Sequence, residues 1–215
     1  MDREARAAAL RALQRDHRAC ARCVDAGLLD SAHPVFSGGL GQRIMLVGQA
    51  PGPVEVGAER PFAGRAGRQL MRWFQRAGFA GEDDVRRRVY MTSMTTCFPG
   101  RNRDGRGDRR PGPREVALCS PWLEGAIALV RPRLLLPVGS LALARFLPRH
   151  SLDSAVGRLF ASSGIEVVEL GRPPLVLPLP HPSGQSRWLN DPARMARLEQ
   201  SLARLPELVR WAEAR

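Results

Sequence analysis

The chain has 215 residues, of which 44% are hydrophobic and 25% charged, a composition typical of one large globular domain. Its formal net charge is +12, and because it contains no lysine, all 33 basic residues are arginine. No apolar run reaches the roughly 18 residues that a membrane span needs, and the N-terminus lacks the apolar core of a signal peptide. We therefore expect a cytoplasmic protein that does not associate with a membrane.

The arginine surplus is the feature of the composition that bears on function. Basic residues outnumber acidic ones by 33 to 21. A GC-rich genome explains why the basic residues are arginine, but it does not explain the surplus. The surplus favours a polyanionic partner, nucleic acid above all, through contacts with phosphates.

Apolar runs alternate with helical patterns along the chain. The spacing of alanine and leucine predicts a first helix over residues 3–18. The patterns that follow predict a strand at 41–48, a helix at 67–78, a strand at 89–93, a helix at 113–130 kinked or divided at Pro121, a strand at 133–139, a helix at 140–147, closing strands at 165–170 and 174–180, and a helix at 191–204. Strands that alternate with helices of crossover length predict a three-layer α/β/α fold with a central parallel sheet.

Ligands of such sheets bind beyond the carboxyl ends of the strands. Loops after Val47, Ser93 and Leu179 lie there, and we expect them to converge. The first loop is rich in glycine and proline, which suits a close approach of backbone to a ligand. A separate loop, residues 99–114, carries six arginines, and within it we expect Arg106 and Arg109 to contact DNA phosphates.

The chain has four cysteines, Cys20, Cys23, Cys97 and Cys119. A CxxC pair with two further thiols suits a four-thiolate site for zinc or for an iron–sulfur cluster, and the spacing does not choose between them. Four unrelated buried cysteines are the alternative. A redox role for the CxxC pair is weaker, because the pair follows a helix instead of starting one after a strand.

The order of the motifs GQAPG…RPFAGRAG, VYMTSMTTC, C..WL and HPSGQSRW resembles that of the uracil-DNA glycosylase superfamily. It is most similar to the branch with a four-cysteine iron–sulfur cluster, often called family four, and the resemblance extends from Cys20 to about Asn190. It implies a glycosylase that flips uracil or a related deaminated base out of single- or double-stranded DNA. The enzyme would hydrolyse the N-glycosidic bond and so begin base excision repair. We expect it to act as a monomer.

The resemblance also assigns roles to individual residues. It implies a [4Fe–4S] cluster, in preference to zinc, on Cys20, Cys23, Cys97 and Cys119. The first catalytic motif consists of Gly48, Gln49, Ala50, Pro51 and Gly52, and His181 belongs to the second. Phe62 matches the aromatic that stacks on the flipped base, and Ser93 the position that contacts its edge. The loop expected to enter the minor groove includes Ser183, Gln185 and Arg187, with Trp188 as a further wedge.

Two positions depart from the usual pattern of this branch. Gln49 stands where a glutamate serves the attacking water, and Ser93 where an asparagine commonly contacts uracil. A neutral amide orients water but does not take its proton near neutral pH. Glu55 and Glu59 follow the first motif as candidates for a substitute base, although the favoured interpretation of both is a solvated loop carboxylate. Three alternatives therefore stay open: a glycosylase for another damaged base, a protein that binds uracil or abasic sites with little turnover, and a metal-dependent redox or regulatory protein.

Overall fold

The structure is a computed structural model that describes residues 1–184 and 187–214. The first half of the chain forms α1 (Arg3–Arg18), α2 (Arg22–Asp25), β1 (Ile44–Gly48), α3 (Pro53–Gly57), α4 (Arg65–Arg76), α5 (Glu82–Arg88) and β2 (Val89–Ser93). The second half forms α6 (Pro113–Val130), β3 (Leu134–Pro137), α7 (Ser140–Phe146), α8 (Leu152–Ala155), β4 (Leu159–Ala161), β5 (Glu166–Val167), β6 (Leu175–Val176), a 3₁₀ helix (Arg187–Asn190) and α9 (Pro192–Glu213).

The six strands form one sheet in the order β2-β1-β3-β6-β4-β5. The four strands from β2 to β6 are parallel, as predicted, whereas β4 pairs antiparallel with both β6 and β5. The predicted central parallel sheet is therefore confirmed, and β4, which was not predicted, adds an antiparallel edge to it. A tight turn joins β4 to β5, with the Gly164 N–H donating to the Ala161 carbonyl (2.9 Å), so no crossover helix separates them.

Helices cover both faces of the sheet, which confirms the three-layer α/β/α architecture. Along β1, Ile44 and Leu46 belong to one buried cluster, and Met45 and Val47 to the other. The first cluster includes side chains of α4, α5 and α9, and the second includes side chains of α1, α6 and α7. Near-continuous apolar strands are the expected consequence of burial on both faces.

Several helices differ from the predictions, since α2, α3, α5 and α8 were not predicted and α9 extends to Glu213, beyond its predicted end at residue 204. Helix α6 has the predicted bounds and is not divided at Pro121, because one proline removes a single hydrogen bond of the helix. Helix α5 was not predicted, since its sequence EDDVRRR has no apolar periodicity. Ion pairs one turn apart support it instead, Glu82 with Arg86 at 2.8 Å and Asp84 with Arg88 at 3.1 Å. Among the described residues, no helix is both long enough and apolar enough to cross a membrane.

Candidate active site

The parallel pairing of β1 with β2 places two predicted site residues side by side. Gly48 and Ser93 are the last residues of these strands and are paired directly. The loops that follow stay linked, because the Met94 N–H donates to the Gly48 carbonyl (2.9 Å) and the Thr95 N–H to the Gln49 carbonyl (3.2 Å). Ser93 is buried and Gln49 half-buried. Both residues therefore lie at the carboxyl edge of the sheet, where ligands bind in this class of fold.

The ring of Phe62 lies close to the end of β1. A Cβ atom built on Gly48 would lie 2.9 Å from Cζ of Phe62 and 3.3 Å from the hydroxyl oxygen of Ser93. Glycine at position 48 therefore allows an aromatic ring and a hydroxyl to approach the same point of the backbone. Phe62 is half-buried and has φ of 56°, a left-handed conformation that is strained for any residue except glycine.

The start of α4 restricts the backbone of Phe62. A Cβ atom built on Gly67 would lie only 1.7 Å from the carbonyl oxygen of Phe62, so no side chain fits at position 67. This close approach explains the second glycine cluster of the RPFAGRAG motif. The glycine allows the helix to support a strained residue whose ring reaches the sheet edge.

The Glu55 carboxylate joins the first motif to the Phe62 loop. Its Oε2 accepts the N–H of Gly52 (3.0 Å), and its Oε1 accepts the N–H of Gly64 (2.7 Å). Each oxygen thus holds one of the two loops, so Glu55 has a structural role. Glu59 is exposed and has φ of 48°. Of the two carboxylates considered as substitute bases, Glu55 is already engaged by backbone N–H groups.

His181 reaches the same edge from the other side of β1. A bridge between Val138 and Leu179 continues the pairing of β3 with β6 up to the residues before His181. The imidazole lies against Gly139, where a built Cβ would be 3.5 Å from Cδ2 of His181. The structure therefore aligns Gly48, Gln49, Ser93, Phe62 and His181 along one edge of the sheet.

The hydrogen bonding of His181 determines what the ring can do. The backbone N–H of Ser183 donates to Nδ1 (3.3 Å), so the proton of the neutral ring is on Nε2. Burial lowers the pKa of His181, an effect that the nearby Glu55 carboxylate partly opposes. The ring is therefore neutral at pH 7, with one N–H to donate. Of the other predicted groove residues, Gln185 and the Arg187 side chain lie outside the described part of the chain.

A family model described as "Uracil DNA glycosylase superfamily" matches residues 36–203, well over half of the chain. This chain belongs to the uracil-DNA glycosylase superfamily. The match covers every strand of the sheet and all the edge residues described above.

Proteins named Type-4 and Type-5 uracil-DNA glycosylase are similar to this member of the superfamily. The Type-4 protein of Thermotoga maritima is 35% identical over 112 residues, 52% of this chain and 53% of the relative. That of Archaeoglobus fulgidus is 29% identical over 140 residues, 65% of each chain. The Type-5 protein of Pyrobaculum aerophilum is 36% identical over 117 residues, 49% of this chain and 48% of the relative. The chain thus spans about half the length of most of these relatives.

All four cysteines of this superfamily member line one pocket. Cys20 and Cys23 come from the segment around α2, Cys97 from the loop after β2, and Cys119 from α6, and Thr95 and Thr96 line the same pocket. The Trp122 Nε1–H donates to the Cys20 sulfur (3.2 Å), and the Thr96 hydroxyl lies 3.6 Å from the Cys119 sulfur. The sequence did not identify Thr96 or Trp122, because these contacts span long separations along the chain.

The chemistry of this pocket suits a cationic metal group. Burial raises the pKa of Cys97 to about 12 and also raises those of Cys23 and Cys119, and neighbouring cysteines add to each shift. Four thiolates this close repel one another, so their deprotonation requires positive charge among them. Within residues 1–184 and 187–214, no three His, Cys, Asp or Glu side chains are arranged around one common ion. Four sulfurs bound to one zinc ion would lie within about 4 Å of each other, given Zn–S bonds near 2.3 Å. The described side chains do not form such a group around one ion.

The arginine-rich loop contains one internally paired arginine and five exposed ones. Arg109 forms a fork on Glu115, with N···O distances of 2.7 and 2.6 Å, and the Gly112 N–H donates to the same carboxylate (2.6 Å). Arg109 is predicted to contact DNA, and the structure shows that it also pairs with Glu115 at the start of α6. The exposed arginines of the loop are Arg101, Arg103, Arg106, Arg110 and Arg114.

Trp188, considered as a wedge for DNA, is buried in the core, and its Nε1–H donates to Asp153 (2.7 Å). Its ring packs with the cluster that includes α4 and α9. Trp188 is therefore a core residue in this structure.

Replacement of Gly67 by alanine tests the support of Phe62. Helix propensity alone predicts a gain of stability for alanine within α4. We expect the opposite, a loss of about 1–3 kcal/mol in the free energy of unfolding, because Cβ would overlap the Phe62 carbonyl. Gly57→Ala is the matched control, since its Cβ meets nothing within 4 Å. Urea denaturation measures both variants, and a Gly67→Ala protein as stable as the wild type would contradict this close approach.

Proposed function

We propose that this protein removes uracil, or a closely related deaminated base, from DNA by hydrolysis of the N-glycosidic bond. The observation that carries the proposal is the neutral His181 imidazole, which has an Nε2–H to donate at the same sheet edge as Phe62 and Ser93. Membership of the superfamily and similarity to proteins named Type-4 uracil-DNA glycosylase support it. The arginine surplus supports DNA as the partner.

The target base reaches the site by leaving the DNA stack, which costs a few kcal/mol. An aromatic surface recovers about 1–3 kcal/mol of that cost by stacking. Phe62 is suited to this role because its ring is half-buried at the edge and its backbone is restricted by Gly67. Glu55 contributes indirectly, since its carboxylate holds the first motif and the Phe62 loop together.

Cleavage of the glycosidic bond leaves negative charge on the departing pyrimidine. A preorganised donor aimed at that charge is worth about 3 kcal/mol or more. We assign this role to the Nε2–H of His181, whose tautomer is set by the Ser183 N–H on the other ring nitrogen. A neutral ring serves here as a hydrogen-bond donor, and the lowered pKa keeps it neutral at physiological pH.

Water then attacks the sugar, and we assign its orientation to the amide oxygen of Gln49, which lies at the same sheet edge. Gln49 does not take the proton of the water at neutral pH. A departing base that is well stabilised as an anion leaves before water attacks. The orientation of the water is then more important than its deprotonation by a strong base. Ser93 offers one small hydroxyl to the edge of the base, which permits bases other than uracil.

A second function, binding of uracil or abasic sites with little turnover, is favoured by one specific observation. The first motif has Gln49 where a carboxylate would be needed as a base, and the nearby Glu55 carboxylate is engaged by two backbone N–H groups. Turnover on defined substrates separates this function from the first.

The proposed activity is tested with labelled oligonucleotides that carry uracil, hypoxanthine or xanthine, incubated under single-turnover conditions and then cleaved with alkali. We expect cleavage at uracil, a decrease of 100-fold or more for His181→Ala, and a decrease of roughly 10-fold for Gln49→Ala. Tight binding without any cleavage would support the second function, and cleavage confined to another base would change the substrate.

Glu55→Gln and Glu59→Gln are the controls for the assignment of the base. Glu55→Gln should lower stability as well as rate, because its carboxylate joins two loops. Glu59→Gln should leave the rate unchanged. If either variant folds normally and is slower than His181→Ala, a carboxylate base is the main catalyst and the donor-led mechanism is wrong.

We further propose that Cys20, Cys23, Cys97 and Cys119 hold a [4Fe–4S] cluster. Four thiolates are the ligand set of such clusters, and a cluster spreads its ligands over several irons, which suits sulfurs that share a pocket without surrounding one ion. The cluster would supply the positive centre that the four thiolates need. It would also tie the N-terminal segment, residues 1–40, to the rest of a single domain.

Cys97→Ala tests the cluster. The wild-type protein, purified without oxygen, should be brown and contain iron and acid-labile sulfide, and Cys97→Ala should lose both and become less soluble. Ser120→Ala, beside Cys119 but outside the pocket, is the matched control and should keep its iron. One zinc per chain with no iron would show that the alternative metal is the correct one.

The exposed arginines of residues 99–114 are proposed to contact DNA phosphates. Replacement of Arg101, Arg103 and Arg106 by glutamine should reduce the slope of log affinity against log salt by about 2–3, at roughly 0.9 per phosphate on duplex DNA. Arg43, Arg131 and Arg172 are matched controls, since they are exposed and precede β1, β3 and β6 at the opposite edge of the sheet. An equal change in slope for both triple variants would mean that the affinity for DNA depends on the total positive charge of the protein and not on contacts made by this loop.

A further inference from the structure

His17 lies at the centre of an aromatic stack beside the cysteine pocket. It belongs to α1 and is only 6% exposed. Its ring is stacked between Phe36, at 4.4 Å and 6°, and Trp122, at 4.8 Å and 7°. Three separate segments of the chain thus each contribute one ring. His17 belongs to none of the sequence motifs, and neither the superfamily match nor the site at the sheet edge includes it.

Among residues 1–184 and 187–214, the His17 ring makes one polar contact, with a residue that also contacts a cysteine. Its Nε2 lies 2.8 Å from the hydroxyl oxygen of Thr96, which is itself 3.6 Å from the sulfur of Cys119. Burial lowers the pKa of His17 to about 4, and Arg18 and Arg22 add to this effect, so the ring is neutral at pH 7. A neutral imidazole has one N–H and one acceptor nitrogen, so the contact with Thr96 can run in either direction.

The state of Cys119 determines that direction. A cysteine that holds a metal is a thiolate, which accepts hydrogen bonds and donates none. The Thr96 hydroxyl has one proton, and if that proton is given to the sulfur, the hydroxyl oxygen must accept from His17. His17 is then the tautomer that carries its proton on Nε2. Both hydrogen bonds are satisfied in only this arrangement.

We propose that His17 and Thr96 form a hydrogen-bond relay to the Cys119 sulfur that helps to set the reduction potential of the metal cluster and to retain it. This inference rests on the cluster proposed above. The relay runs from the His17 Nε2–H to the Thr96 oxygen, and from the Thr96 O–H to the sulfur. His17 and Thr96 are positioning residues, because they act through a ligand.

Two further donors lie near the cysteines. Trp122, one of the rings stacked on His17, donates its Nε1–H to the Cys20 sulfur at 3.2 Å. The hydroxyl of Thr95 is buried and has no hydrogen-bond partner among the described residues, although Thr95 lines the pocket. A buried hydroxyl without a partner requires an explanation, and an acceptor within the pocket would supply one.

The consequence for a cluster follows from electrostatics. Reduction adds negative charge to the cluster and its thiolates, and hydrogen bonds to the sulfurs stabilise that charge. Loss of a donor should therefore lower the reduction potential. The aromatic stack holds the relay in place, since the His17 ring has little freedom to turn between two parallel rings.

The test compares three variants of the full-length protein by redox titration followed with electron paramagnetic resonance. Thr96→Val removes the donor and keeps the shape, so at a fixed applied potential the ratio of reduced to oxidised cluster should fall several-fold. Thr96→Ser keeps the hydroxyl and should resemble the wild type. His17→Phe keeps the stack and loses the Nε2–H, and it should give a smaller shift in the same direction, together with faster loss of iron to a chelator.

An unchanged potential in both Thr96→Val and His17→Phe would overturn the relay, as would a Thr96→Ser protein that behaves like Thr96→Val. If Thr96→Val does not fold, the shift of His17→Phe decides alone. A wild-type protein that excises uracil but contains no iron would overturn the cluster and this relay and leave the proposed activity intact.

Discussion

The position of β1 between β2 and β3 is the constraint on which both candidate centres depend. All five residues of β1 are buried, and successive side chains enter opposite cores. A shift of the pairing by one residue would exchange the two faces, so the register has little freedom. This register places Gly48 beside Ser93 and near the Phe62 ring. Since the neighbouring strands run parallel to β1, their loops arrive at the same edge, and His181 arrives with them.

The segment that follows β2 joins the two centres. Ser93 belongs to the sheet edge, the Thr95 N–H donates to the Gln49 carbonyl (3.2 Å), and Thr96 and Cys97 line the cysteine pocket. Five consecutive residues therefore connect the candidate base site with the candidate metal site. A group that orders the cysteines also orders one wall of the base site. This arrangement explains how a metal cluster with no part in the chemistry would still affect excision.

The charges near the site suit a base that departs as an anion. A carboxylate at position 49 would repel the negative charge that develops on the pyrimidine, whereas the neutral amide of Gln49 does not. The nearby Glu55 carboxylate accepts two backbone N–H groups, which draw off part of its charge. The neutral donor at His181 then stabilises the anionic base in a site with less negative charge than a site that has a carboxylate at position 49. In the proposed mechanism, Gln49 lacks the strong base that a carboxylate would supply, but it also opposes the departing anion less.

The sequence alone determined three features of this protein: the order of its motifs, its four cysteines, and the segments with strong hydrophobic periodicity. Helix α1 and strand β2 have the predicted bounds, and the three-layer fold and the superfamily are confirmed. Only the tertiary structure decided the antiparallel edge at β4, the engagement of Glu55 with Gly64, and the contact of His17 with Thr96, which are 79 residues apart. Local periodicity reports which face of an element is buried, but a polar side chain acquires its partner through packing of distant segments, and that leaves no pattern in the sequence.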